Sequence, residues 1–307
     1  MLVLASRLLL LLLPLAAHSS AAAPHTQPRA LSSTRQLHAE SHWETLPSLP
    51  LGPRQENSVA ALGTDVYILA GITAAAPNAT AFPSLQLVQA YSTESRTWRR
   101  VADVPTPLNH AHLAAVAGKL YVLGSLTGDG PFLPTGVSYK YDAGADAWTR
   151  LPKDGHMPEG SERGAGAVGS GGTANVSVFD TQTGTWLPAE GWPALPDGGR
   201  DHAGGAVVGD TMAGMPTPRG GLMAAAVDGK VYTFGGENDE ALGAGPDGVY
   251  ADVEVYDTET DCWEKLPDMA VPRHGTGAAV VAGRIFIPGG ANMTGAGATS
   301  VFDAFSP

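Results

Sequence analysis

Hydrophobic and polar positions follow one short-period pattern along most of the chain. A run of small and apolar residues leads into a polar turn. A β-branched and aromatic run then ends at or near glycine. The pattern reads SVAALGTDVYILAG after Pro53-Arg54, LMAAAVDGKVYTFGG after Pro218-Arg219 and GAAVVAGRIFIPGG after Pro272-Arg273, with a weaker version, HLAAVAGKLYVLGS, after Pro107. Two apolar runs around so short a turn predict a β-hairpin. Downstream, an aromatic residue is followed seven positions later by tryptophan, in Tyr91–Trp98, Tyr141–Trp148, Phe179–Trp186 and Tyr256–Trp263. No long segment of 3.6-residue periodicity appears after the first residues, so the pattern predicts an all-β chain of short strands. The 39 glycines and 24 prolines agree, because many turns must separate such strands.

The two patterns alternate as one repeat, most complete over Val231–Trp263. Trp43 stands alone without a preceding aromatic copy, and Phe302-Asp303 opens a copy that ends before any tryptophan. The halves are complementary. Paired glycines, then Tyr-Asp, then Trp at matched offsets resemble the kelch repeat. That resemblance implies a four-stranded propeller blade per repeat, with the glycines ending its second strand, the tyrosine on the third and the tryptophan starting the fourth. The expectation is an all-β kelch β-propeller of about six blades over residues 43–307, its ring closed by the N-terminal Trp43 strand beside Val301–Phe305. Closure of that kind removes an exposed sheet edge.

The repeat is uneven. Residues at the Pro-Arg position are Arg54, Leu108, Arg163, Arg200, Arg219 and Arg273, which lie 54, 55, 37, 19 and 54 residues apart. The third and fourth blades are therefore truncated, around 163–215. Either the propeller is open there, or the chain is a shortened gene product. Half-built blades with exposed edges favour aggregation, which supports the second reading.

The N-terminus changes the picture of where the protein works. Arg7, the apolar run Leu8–Ala17 and the small residues after it predict a signal peptide over 1–20. A leader without periodicity follows over 21–42 and reads as disordered. The run is short of the ~20 residues a membrane span needs, so a secreted protein with no membrane anchor is expected. The sequons at Asn78, Asn175 and Asn292 then become glycosylation candidates. A single cysteine, Cys262, leaves no internal disulfide and reads as structural rather than reactive. A net charge of −12 argues against nucleic-acid partners and anionic membrane surfaces.

Candidate chemistry is sparse. Arg54, Arg163, Arg200, Arg219 and Arg273, with His202 and His274 in the same frame, precede the innermost strands and so fall at the rim of the central channel. They would serve as donors to an acidic or sugar ligand. Recurrence with the repeat favours a different role, pinning loops and carbonyls between blades. Of His110, His112, His202 and His274, no pair has a ligand-like spacing with a nearby carboxylate apart from Asp201-His202, so neither metal nor cofactor is expected. The acidic loop from Glu237 lacks the ligand alternation of a calcium loop. The expected function is a monomeric, non-catalytic binding scaffold for a protein or carbohydrate. Its loops Ala74–Ser84, Ser125–Gly136 and Glu237–Tyr250 would set partner choice. The alternative, from the kelch resemblance, is a carbohydrate-active enzyme of galactose-oxidase or sugar-isomerising type.

Overall fold

The computed structural model describes residues 2–5, 41–73, 81–158, 177–188, 215–216, 219–238 and 248–307. Four sheets have four antiparallel strands each. The first blade is β3 (Ser58–Leu62), β4 (Asp65–Leu69), β5 (Val88–Ser92) and β6 (Thr97–Arg100). The second is β7 (Leu113–Val116), β8 (Lys119–Thr127), β9 (Leu133–Asp142) and β10 (Ala147–Arg150). The third complete blade is β13 (Met223–Val227), β14 (Lys230–Phe234), β15 (Val253–Asp257) and β16 (Cys262–Leu266). The terminal blade joins β17 (Ala279–Val281), β18 (Arg284–Pro288) and β19 (Phe302–Ser306) to β2 (His42–Thr45), from the other end of the chain. Between the second and third complete blades lies a short pair, β11 (Ser177–Asp180) and β12 (Thr185–Trp186). The one helical element among the described residues is a 3₁₀ turn at Lys153–Gly155.

Residues 2–5 form β1 (Leu2–Ala5), which runs parallel to β11. They fall within the expected signal peptide. The rest of that segment and nearly all of the leader lie outside the described residues; Ser41 and His42 are described, and His42 begins β2. Most of the expected truncations, residues 159–176 and 189–214, also lie outside them.

The aromatic-to-Trp spacing is a hairpin register. Tyr91 faces Trp98, Tyr141 faces Trp148, Phe179 faces Trp186 and Tyr256 faces Trp263, directly across strands. Their ring centroids lie 4.9–5.3 Å apart, close enough for each pair to add about 0.5–1.5 kcal/mol beyond burial. The indole N–H groups reach out of the sheet. Trp98 donates to the Pro47 carbonyl at 2.8 Å and Trp148 to that of Ala102 at 2.8 Å, in each case just past the outer strand of the preceding blade. The register corrects one expectation. Phe305, not Phe302, occupies the tyrosine position, because Phe305 faces both Ile285 and Trp43. The Phe302-Asp303 dipeptide imitates Tyr-Asp in sequence but sits three residues early.

The core lies between blades rather than inside them. One apolar cluster joins the third complete blade to the terminal one through Phe234, Ile285, Phe305 and Trp43. Others join the terminal to the first blade, the first to the second, and the second to β11 and β12. Each sheet has small residues on its inner strand (Ala60, Ala225, Ala279), so neighbouring sheets approach closely.

Glycine at the end of the second strand completes the seam. The N–H of Gly236 donates to the Arg273 carbonyl of the next blade, Gly290 to Arg54 and Gly71 to Leu108, each at 2.9 Å. A β-carbon on Gly235, at φ 56°, would collide with the Arg273 carbonyl oxygen.

Candidate functional site in the central channel

The segments that lead into the innermost strands meet at the channel. Counting from the Arg position, the second residue onward is Glu56 in the first blade, His110 in the second, Gly221 in the third complete blade and Gly275 in the terminal one. All four have left-handed backbone, with φ of 51°, 46°, 60° and 63°. They form a thread of backbone hydrogen bonds across the blades: Gly275 N–H to Gly221 O at 2.9 Å, Glu56 N–H to Gly275 O at 2.5 Å and His110 N–H to Glu56 O at 3.0 Å. The left-handed turn aims each N–H at the preceding blade. Glycine accepts that conformation freely, whereas Glu56 and His110 carry it at a cost of about 1–2 kcal/mol each. Strain held by side chains that touch one another marks a candidate site.

Those side chains continue the thread. His110 Nε2 lies 3.1 Å from Glu56 Oε2, and His274 Nδ1 lies 3.9 Å from Glu56 Oε1 and 3.2 Å from Glu237 Oε1. Acid and imidazole thus alternate as Glu237, His274, Glu56 and His110, one from each of four blades. Both nitrogens of His274 face acceptors, since Nε2 lies 2.9 Å from the Met293 carbonyl. His110 is similar: its Nδ1 faces Asn109 Oδ1 at 2.5 Å, while the Asn109 amide donates to Ser84. Only the imidazolium form supplies a proton on both sides. Burial disfavours the charge on His274, but Glu237, then Glu56 and the Met293 carbonyl, outweigh it and hold its pKa above the usual histidine value.

The arginines sit one layer back. Arg54 is 1% exposed and Arg273 0%. Arg273 donates to Asp303 at 2.8 Å and Arg219 to Glu254 at 2.8 Å, while Arg54 bonds Gln89 and the Leu87 carbonyl. Gln89, Glu254 and Asp303 occupy one position, two residues before the aromatic of the third strand. Where leucine replaces the arginine, at Leu108, the same position is Tyr139, which bonds Thr106 instead. Each guanidinium is therefore bound within its own blade and not between blades as expected, because the third-strand position two residues before the aromatic supplies its acceptor. Burial, partly offset by Asp103, brings Arg54 down to about 10, which leaves it charged at neutral pH. Arg163, Arg200 and His202 lie outside the described residues, as do Asn78 and Asn175. Asn292 is exposed. Cys262 opens β16 as a free thiol whose Sγ–H donates to the Thr260 carbonyl at 3.3 Å. Among the described residues no three His, Cys, Asp or Glu side chains are placed to hold a metal ion, and no helix is long and apolar enough to cross a membrane.

Glu56 and Glu237 did not emerge from the arginine-centred reading of the sequence. The signal for Glu56 was there, since alignment on the arginines sets Glu56 and His110 against two glycines. Glu237 follows the glycine pair and meets His274 only through the fold.

Comparison with known proteins identifies the fold and the family. A family model described as the Kelch motif matches residues 218–270. The Kelch-like protein terF of Aspergillus terreus is 33% identical over 328 residues, spanning 89% of this chain and 70% of that protein. That alignment is longer than the 307-residue chain, so terF carries residues that this chain skips. Kelch-like protein 34 of Homo sapiens is 29% identical over 66% of this chain but only 30% of its own length, and Kelch-like protein 35 of Mus musculus is 24% identical over 88% of the chain and 40% of its length. The solved structure of YjhT superimposes with a TM-score of 0.61 at 16% identity, covering 83% of this chain and 95% of YjhT, which supports the fold alone. The repeat register, the four-stranded sheets and the terF alignment together show that the chain belongs to the kelch-repeat β-propeller proteins.

Proposed function

We propose that the protein is a secreted, glycosylated and non-catalytic scaffold that binds a protein or carbohydrate partner. Its plan is a six-bladed ring closed by the Trp43 strand, with the third and fourth blades shortened. The terF alignment, which is longer than this chain, supports that shortening.

One contrast carries the reading. Polar groups at the channel are engaged between blades, whereas the segments after the second strands differ from blade to blade and expose apolar side chains. Leu133, opposite Thr127 at the turn end of the long β8–β9 hairpin, is 61% exposed, and Met293, in the β18–β19 connection, is 44% exposed. Both follow the second strand of their blades and so share a face. Exposed apolar groups on irregular segments of a rigid ring suit partner recognition.

The test is capture of extracellular partners on purified protein, compared with a Leu133→Glu/Met293→Glu variant. A partner held by the wild type and lost in the folded variant supports the scaffold. Equal capture by both, or turnover of a sugar panel by the wild type, defeats it. N-terminal sequencing of material from the medium and glycosidase mobility shifts of Asn292→Gln test secretion and glycosylation separately.

A further inference from the structure

We infer that His274 is a proton-operated latch on residues 291–298, so that this part of the exposed face is held closed at acidic pH and loosens as pH rises. The consequence for partner binding rests on the function proposed above; the latch itself does not.

The segment is held from three other blade elements. His274 Nε2–H donates to the Met293 carbonyl at 2.9 Å, and the Gly295 N–H donates to Glu237 Oε2 at 3.3 Å. Gln55 donates to the Gly295 carbonyl at 2.5 Å and accepts from the Gly297 N–H at 2.9 Å. Thr294 donates to the Gly248 carbonyl at 3.0 Å. His274 and Glu237 are thus both bound to the segment, and Nδ1 of the one lies 3.2 Å from the carboxylate of the other. The charged groups facing the imidazole are Glu237, from the β14–β15 connection, and Glu56, from the turn before β3. The 291–298 segment presents a carbonyl to it, and the Gly221 turn packs backbone against the ring.

Loss of the proton leaves this cluster without a satisfactory arrangement. If Nε2 keeps its hydrogen for Met293, the Nδ1 lone pair faces two carboxylates. If Nδ1 keeps it for Glu237, the buried Met293 contact is lost. The second outcome frees the Met293 attachment directly; the first keeps it but sets a lone pair against Glu237, whose carboxylate also holds the Gly295 N–H, and so weakens that attachment. Because the pKa of His274 is raised on folding, its contribution is complete below the ordinary imidazole range. It drains as pH rises through the raised value. The exposed Met293 side chain sits on the moving segment, which links proton release to the binding face.

Amide hydrogen exchange of peptides covering 291–298, corrected for intrinsic rates, reads the latch directly. Protection should be lower above the titration of His274 than below it, the direction set by its raised pKa. The same transition should appear in the NMR titration of the His274 ring in the wild type. Glu237→Gln should remove most of the pH dependence; it keeps the size of the side chain, which avoids reliance on His274→Gln, a buried change that endangers folding. Flat protection in the wild type, or an unchanged pH profile in Glu237→Gln, would overturn the latch. Partner capture is not needed for this measurement, so the latch and the scaffold can fail independently.

Discussion

Glu56 and His110 meet at 3.1 Å across a blade boundary, and both hold left-handed backbone where two other blades carry Gly221 and Gly275. The backbone therefore bears strain that glycine would remove, in exchange for a side-chain contact that glycine cannot make. Glu56→Gly relieves the strain but strips His110 and His274 of a shared counter-ion. At pH 6, Glu56→Gly and His110→Gly should each lower stability by about 1–3 kcal/mol. The double variant should lose less than the sum by about 1 kcal/mol or more. Urea denaturation of the four proteins gives the cycle; strictly additive losses would show the contact to be incidental.

Arg273 and Asp303 form a buried pair at 2.8 Å. Removing one partner leaves the other charge buried, so Arg273→Met should cost about 3–5 kcal/mol. Arg273→Met with Asp303→Val should recover much of that loss, because neither charge then remains. A double variant as unstable as the single would point to packing rather than charge as the role of the arginine.

Gly235 and Gly63 both have left-handed backbone, at φ 56° and 63°, but their surroundings differ. A β-carbon on Gly63 meets open space, whereas on Gly235 it strikes the Arg273 carbonyl and crowds Met269. Gly63→Ala should cost about 1 kcal/mol, from backbone conformation alone. Gly235→Ala should cost about 3 kcal/mol or more, because the blade-to-blade seam must open. Equal midpoints for the two variants would show that the seam tolerates displacement.

Phe305 is fully buried and stands 5.0 Å from Trp43 and 5.4 Å from Phe234. It ties the two ends of the chain to each other and to the neighbouring blade. Phe305→Ala should destabilise by about 3–5 kcal/mol. Trp43 emission should shift to longer wavelength before global unfolding in denaturant, as β2 leaves the sheet edge. Coincident loss of Trp43 and bulk signals would mean that β2 does not detach separately.

Much of the fold was legible because its signals are local. A tyrosine and a tryptophan seven residues apart face each other whenever one tight hairpin joins them, so spacing alone reports the register. The glycines were legible as punctuation, though their purpose, a hydrogen bond to the next blade, was not. Phe302-Asp303 misled for the same reason that the other copies informed. It matches the local motif, but its register is set by Ile285 and by Trp43, which lies at the far end of the chain.

The site was less legible. The arginines recur visibly, yet their partners lie 30 to 35 residues away on another strand. Whether such a group faces a ligand or a buried acid depends on packing that no short window contains. Sequence by itself determined the repeat, the strand order within each blade and the positions that must be glycine, since these follow from hairpin chemistry and turn geometry. Only the tertiary structure decided that Glu237, His274, Glu56 and His110 form one alternating chain. Each sits on a different blade, and only the stacking of sheets brings their charges within reach in a setting dry enough for them to matter.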